Sequence, residues 1–493
     1  MDDDVAQPHP TSRHPIDPQG VGALTYPEPP FRTFSVRGAF AVFGPGAVLA
    51  SITIGSGETV FAARGGAVFG YTIIWALVFG AVLKSAIMYS ANRYAVLTGE
   101  HPMTRWVTSI PGPRGWYPAV LGGLAILSFP TAAAGVSLIV GDYAAALLGG
   151  TGVLWATILL VVCCGLSWVG GYQLLERVQT ALVGLMLAAV LVAVFWARPD
   201  WPAVLAGLLP QMPEFEGWVF TSYPSVAERP VWVEVVMYMG GIGGGVFDFI
   251  GYTGLLREKK WGLLGREEIA QLEARYAHVE KGGHLPLPED AEQVARARAW
   301  TLAPFGDVLL SGIAVVVFTA AFVINGANLL HSRQLVPVDD ELLANQASFL
   351  EVVWPGLVYL YYVAIFFAFF GTVLALWEVY ATTAHESVAA LSRTVRLRGL
   401  RATRRWVYPY VLVFSLLLIW TGIDPVVLLT PTSLVGGVLG VGTMAFAMLW
   451  TERKVLPRSY RLRGLGWWTT LVAGIMLTAF GVVAILQAVG VLA

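Results

Sequence analysis

Residues 233–261 read VEVVMYMGGIGGGVFDFIGYTGLLREKKW, an apolar run crowded at its middle by Gly240, Gly241, Gly243, Gly244 and Gly245, with Asp248 close behind. Glycine in a helix interior costs about 1 kcal/mol relative to alanine. The run therefore predicts an interrupted helix or very close helix packing. Residues 49–68, LASITIGSGETVFAARGGAV, have the same build: an apolar start, then Gly55-Ser56-Gly57, then Glu58.

The rest of the chain sets the medium around these stretches. Of 493 residues, 56% are hydrophobic and 13% charged, against roughly 25% charged in soluble proteins. Apolar runs able to cross a hydrocarbon core of ~30 Å recur throughout. Eleven are expected, at about 39–62, 68–91, 116–141, 153–170, 174–197, 231–256, 302–325, 352–381, 407–422, 425–450 and 466–490. The fold class is an all-α polytopic membrane protein, with the lipid bilayer as its first partner. Counting the tail and the loops after even-numbered spans as one side puts 26 Lys and Arg there and 4 on the other, with Lys84 inside a span. That bias predicts a cytoplasmic N-terminus, an extracytoplasmic C-terminus and a bacterial-type inner membrane. The outward loops carry acids instead, among them Glu214, Glu216, Asp339 and Asp340.

The expected organisation begins with a disordered, Pro-rich cytoplasmic tail over 1–38. A first repeat follows over 39–197, an extracytoplasmic loop over 198–230, and a second repeat over 231–450. Residues 451–493 form a cytoplasmic loop and the last span. Within the second repeat, 257–300 is a cytoplasmic insert whose two charged stretches suit helices around the turn GGHLPLP, as a solvated connector or a docking element. The neighbouring Cys163 and Cys164, the only cysteines, read as packing residues.

The two glycine-rich interruptions open two five-span sets, 1–5 and 6–10. Interruptions at corresponding positions of two halves point to an inverted-repeat transporter with its site near the midplane. Unwinding in lipid strands backbone groups and is tolerable only around a cavity or inside protein. Freed carbonyls suit cations and half-helix N-termini suit anions. Glu58 and Asp248 are then candidate oxygen ligands for a hard divalent cation; equally, each can cap the half-helix it opens.

Gly44 to Ala81, GPGAVLASITIGSGETVFAARGGAVFGYTIIWALVFGA, resembles the first two spans of the Nramp divalent-metal transporters, through Gly44-Pro45-Gly46, Gly66-Ala67-Val68, Gly70 and Trp75, with Leu97-Thr98-Gly99 closing the second span. The resemblance implies a LeuT-like fold of inverted five-helix repeats with helices 1 and 6 broken. The family's signatures depart here. Its first break reads Asp-Pro-Gly-Asn, whose Asp and Asn bind metal; those positions are Gly55, Ser56, Gly57 and Glu58. Its sixth-span Met-Pro-His falls on Phe247-Asp248-Phe249, which removes the thioether and the proton-linked imidazole. No carboxylate precedes Asp142 in the third span, where the family has acids for proton passage. Loss of sulfur argues against soft-metal selection, and a related magnesium-transporting branch also lacks that Met. The implied function is transport of a hard divalent cation, Mg2+ or Mn2+-like, by alternating access. An organic-solute or anion transporter on the same fold and a non-transporting receptor or scaffold are the alternatives.

The candidate substrate site is thus Gly55, Ser56, Gly57, Glu58, Gly245, Phe247, Asp248, Thr432 and Ser433, with Glu58 and Asp248 as metal ligands; Thr430 opens the tenth span beside them. Lys84 is expected to snorkel to the cytoplasmic interface or to pair with an interior acid. Together with Glu378 and His385 it is a candidate gate or ion-pathway residue. Glu234 and Asp307 are expected at the interface. No phosphate loop, nucleophile–base set or zinc spacing occurs in the cytoplasmic loops, so no enzyme activity, cofactor or nucleic-acid partner is expected. The oligomeric state stays open.

Overall fold

The structure, a computed structural model, describes residues 24–43, 54–169, 184–185, 187–265, 284–337, 343 and 345–492. Among them the secondary structure is helical throughout, and eight helical runs are long and apolar enough to cross a membrane. Side chains such as Leu127, Phe195, Leu417 and Ile475 lie more than half exposed on the outside of the bundle, the apolar surface that lipid covers. Exposed tryptophans stand near helix ends, at Trp168, Trp196, Trp420 and Trp468, as at a membrane–water interface.

Helix boundaries follow the local chemistry. Leu302–Asn325 occupies the expected seventh span, and Gly152–Val169 the fourth. The second, Ile74–Thr98, runs on to a left-handed Gly99 that closes it. The third and eighth are longer than expected, Trp116–Leu148 and Leu357–Leu391. The helix Arg393–Ile419 contains the ninth span behind a kink at Gly399, whose φ is 72°. The tenth is assembled from Pro425–Pro431, Thr432–Gly440 and Val441–Val455, its middle piece wound with wider turns. Leu465–Ala488 is the last. Of the fifth span only its latter part, including Leu187–Trp196, is described. The first half of the insert and the acids Asp339 and Asp340 lie outside the described residues; its second half forms Ala291–Trp300, capped by Asp290.

Pro130 sits inside Trp116–Leu148 and has no amide to give the Ile126 carbonyl. That carbonyl accepts the Tyr410 hydroxyl at 3.0 Å, and the Pro130 carbonyl accepts Ser415 Oγ at 3.1 Å. The lost helical bond is thus replaced from the ninth span, as a low-dielectric surrounding requires.

One expectation fails over the described part of the tail. Residues 24–38 are anchored: Tyr26 is buried, its hydroxyl donates to the Leu97 carbonyl at 2.6 Å, and Ser35 caps the helix Val36–Val42. The polar, Pro-rich composition masks one aromatic side chain with enough burial and hydrogen bonding to hold the segment. Glu234 and Asp307, near the starts of their spans, are buried within the protein, and each has a partner, Arg229 at 3.0 Å and the Tyr252 hydroxyl respectively.

Candidate functional site at the broken sixth helix

The sixth span is two helices, Val231–Gly241 and Val246–Leu255. Between them Ile242 is extended and Gly243 and Gly244 adopt φ of 71° and 74°. Only glycine takes that left-handed backbone freely, which accounts for two of the five glycines. Close approach accounts for two more: a Cβ on Gly240 would lie 2.2 Å from the Ser433 carbonyl oxygen and one on Gly241 2.1 Å from the Phe61 ring. A Cβ on Gly57 would in turn lie 2.0 Å from the Gly241 carbonyl oxygen, so the first helix rests directly on the break.

An interruption of this kind leaves unbonded carbonyls at the end of one half-helix and unbonded amides at the start of the next. The carbonyl end is met by Lys84, which reaches in from Ile74–Thr98 and is buried. Its Nζ donates to the carbonyls of Met239 at 2.9 Å, Gly240 at 2.9 Å, Ile242 at 2.6 Å and Gly244 at 3.0 Å. The expected snorkelling does not occur, because stranded carbonyls inside protein bind the ammonium where lipid could not. The amide end is met by carboxylates. Glu58 Oε1 accepts the Gly243 amide at 3.0 Å, and Asp248 Oδ2 accepts the Gly245 amide at 2.8 Å. Cation at the carboxyl end and anions at the amino end both match the helix dipoles.

Beside the break lies a cavity of about 90 Å³. Asp248 is the one carboxylate among its lining residues, with Ser128, Tyr380, Thr432 and Ser433 as hydroxyl donors. The Thr432 hydroxyl is buried and has no hydrogen-bond partner among the described residues. Phe61, Phe129 and Phe247 supply apolar wall; the Phe129 and Tyr380 rings stack with centroids 4.2 Å apart. Thr383 Oγ1 donates to the Phe247 carbonyl at 2.7 Å and ties the eighth helix to the second half-helix.

The structure therefore brings Gly245, Phe247, Asp248, Thr432 and Ser433 to one cavity. Gly57 and Glu58 abut the break but do not line that cavity. Gly55 and Ser56 belong to the wide-turned segment Ile54–Ala62; the Ser56 side chain and residues 44–53 before it lie outside the described residues. Thr430 Oγ1 turns back to the Val426 carbonyl at 2.7 Å and is not among the lining residues. Glu378 pairs with Arg404, and His385 Nδ1 lies 3.0 Å from Thr403 Oγ1; both join the eighth helix to the ninth. Sequence reasoning missed Phe61, Ser128, Phe129 and Tyr380. Phe61 stands one helical turn from Glu58, and Ser128-Phe129 adjoin Pro130, the only proline in the third span's interior.

Polar clusters flank the break along the sixth span. Before it, Arg64 Nε donates to Tyr238 Oη at 3.0 Å, near the Arg229–Glu234 pair. After it, Arg257 meets Glu386 at 3.4 Å. In the adjoining loop, His101 Nδ1 accepts the Met103 amide at 3.1 Å while Nε2 faces the Ile250 carbonyl at 3.1 Å, which fixes a neutral imidazole. Burial holds His101 below the ordinary imidazole pKa, against the pull of Glu386. Burial likewise pushes Glu100 up, opposed by Arg105 at 2.9 Å. Among the described residues no group of three or more His, Cys, Asp or Glu side chains is placed to hold a metal.

Residues 46–487 match the family model described as "Natural resistance-associated macrophage protein-like", Nramp. Curated relatives include the divalent metal cation transporters MntH of Listeria welshimeri and Listeria monocytogenes, each 24% identical over 179 residues. That stretch is 36% of this chain and 39% of the relatives' length, so the chain spans about two-fifths of each relative it matches. Among solved structures, a variant of the Eremococcus coleocola manganese transporter superposes with a TM-score of 0.62 at 14% identity. It covers 92% of this chain and 88% of that one. The same transporter bound to an aromatic bis-isothiourea substituted compound gives 0.58 over the same shares. The superposition shows a shared fold, the LeuT-like architecture that the resemblance implies. With the family model covering nearly the whole length, this integral membrane protein belongs to the Nramp family.

Proposed function

We propose that the protein is a secondary-active transporter that moves a hard, partly hydrated divalent cation of the Mg2+ or Mn2+ type by alternating access, with Asp248 as the substrate-facing carboxylate. The observation that carries this reading is the lining of the cavity at the break: one carboxylate, several hydroxyls, and no Met, Cys or His. Mg2+-like ions keep several waters and bind through one or two carboxylates, and the cavity has room for several waters. The lack of sulfur disfavours soft-metal selection. Glu58, bonded to the break but outside that lining, would adjust the local charge and not coordinate directly.

The family membership and the names of the relatives support the same class of substrate. An anionic substrate is less well served, since the Gly243 and Gly245 amides it would need already donate to Glu58 and Asp248. The Lys and Arg bias supports an N-terminus in the cytoplasm and a C-terminus outside, in a bacterial-type inner membrane. The test is uptake of Mg2+, Mn2+ and Ca2+ into proteoliposomes. Uptake that is lost in Asp248→Asn supports the assignment. Equal flux in both proteins removes Asp248 as a ligand, and no flux of any divalent ion in the wild type returns the protein to the receptor reading.

A further inference from the structure

The four carbonyls around Lys84 have the character of an ion site. Met239, Gly240, Ile242 and Gly244 present oxygens at 2.6–3.0 Å to one nitrogen. Met239 and Gly240 belong to the last turn of the half-helix Val231–Gly241, and Ile242 and Gly244 to the unwound turn after it, so the chain folds its free carbonyls toward one point. Neutral carbonyl cages replace the hydration shell of monovalent cations in membrane proteins, and an ammonium is close to K+ in size and charge. The ammonium has three protons for four oxygens, so it is held by charge and convergence more than by one-to-one hydrogen bonds. Glu58, bonded to Gly243 within the same turn, places a compensating negative charge beside it. The aliphatic stem packs along the break, with Cδ 3.8 Å from where a Gly243 Cβ would stand.

We propose that the sixth-helix break contains a monovalent-cation site whose resident occupant is the ammonium of Lys84. The side chain is a tethered ion. It enters from the second span, satisfies the carbonyl end of the first half-helix and balances the carboxylates at the start of the second. A diffusible ion in that cage would leave and return with each conformational cycle. A covalently attached one keeps the break charge-balanced without drawing on Na+ or K+ from either side. The site adjoins the cavity at Asp248: Gly240 and Gly244 belong to both, whereas Lys84 itself is not among the cavity's lining residues. The inference does not depend on which substrate that cavity takes.

The experiment uses the full chain purified in detergent and reads its melting temperature, with no transport step. Wild type, Lys84→Ala and Lys84→Gln are titrated with NaCl, KCl, NH4Cl and methylammonium chloride, with choline chloride as the ionic-strength control. In Lys84→Ala the vacated cage is expected to take up a free cation. Its melting temperature is then low in choline and rises saturably with at least one of the small cations. Wild type shows no such difference between salts. Lys84→Gln, whose amide can still donate two N–H groups to the cage, stays folded and responds little. If Lys84→Ala is folded only when prepared in one of the small cations, that rescue is itself the expected result. The proposal is overturned if Lys84→Ala melts identically in choline and in all four small cations, if wild type shifts as much as the variant, or if Lys84→Ala is unfolded in every salt.

Discussion

At Pro130 the third span lacks one amide, and at 242–245 the sixth span lacks a full turn. The first gap is met by neutral hydroxyls: Tyr410 reaches the Ile126 carbonyl and Ser415 the Pro130 carbonyl. The second is met by charge, with Lys84 on four carbonyls and Glu58 and Asp248 on two amides. One missing hydrogen bond is replaced by one dipole. A missing turn exposes the partial charges of two facing half-helix ends, which are large enough to hold formal charges in a membrane interior. A single missing bond thus remains structure, whereas a break becomes a place where ions belong. The cavity lies at the break.

The sharpest way to break this contrast is Lys84→Met. Removing the ammonium strands four buried carbonyls, and the expected loss is on the order of 3 kcal/mol or more. A melting temperature in choline buffer equal to that of wild type would mean the charge is not holding the break. Asp248→Asn should separate function from stability. Asparagine Oδ1 still accepts the Gly245 amide, so melting should fall much less than in Lys84→Met. Loss of a charged contact worth roughly 1.5–3 kcal/mol corresponds to about ten- to hundredfold in divalent-cation affinity, read as uptake. On the other side of the comparison, Tyr410→Phe should cost about 1 kcal/mol by leaving the Ile126 carbonyl without its donor. It should leave uptake unchanged; a transport defect there would erase the distinction between a missing bond and a missing turn.

The smallest expected effect concerns pH. His101 is held below its ordinary value of 6.5 by burial, so its neutral form contributes stability above that pH. The contribution is lost as pH falls below 6.5, where the unfolded chain takes up a proton that the folded chain resists. Glu100, raised by burial, acts in the opposite sense and gains in relative terms on acidification. Comparing wild type with His101→Gln in melts between about pH 7 and about pH 5 isolates the imidazole. The variant should lose less on acidification, and equal losses would assign the effect elsewhere.

The membrane class and the glycine interruption of the sixth span could be read from composition and from the Gly240–Gly245 run, because both are local. Asp248 at the break followed from its position behind that run. The direction of Lys84 did not. A lone lysine in an apolar span has the same sequence whether it snorkels or turns inward, and the answer depends on carbonyls 155 to 160 positions away. The cavity walls at Ser128, Phe129 and Tyr380 come from the third and eighth spans, and nothing in their own periodicity says which helix they will face. Glu58 shows the intermediate case. Its place beside the break was legible, and its choice of the Gly243 amide over the cavity was set by packing between two helices.

The short segment around Tyr26 joins parts that are far apart in sequence. Its amide donates to Gln293 Oε1, its hydroxyl to the Leu97 carbonyl, its ring stacks on Tyr460, and Trp300 donates to the Pro27 carbonyl. Residues from the second span, the insert helix and the loop before the last span are thereby buckled together. Separation of the Leu97 end from the Ala291–Trp300 helix must first unfasten this buckle. Amide exchange of Tyr26 then becomes a clock for that separation, readable in the full chain and far from the substrate cavity.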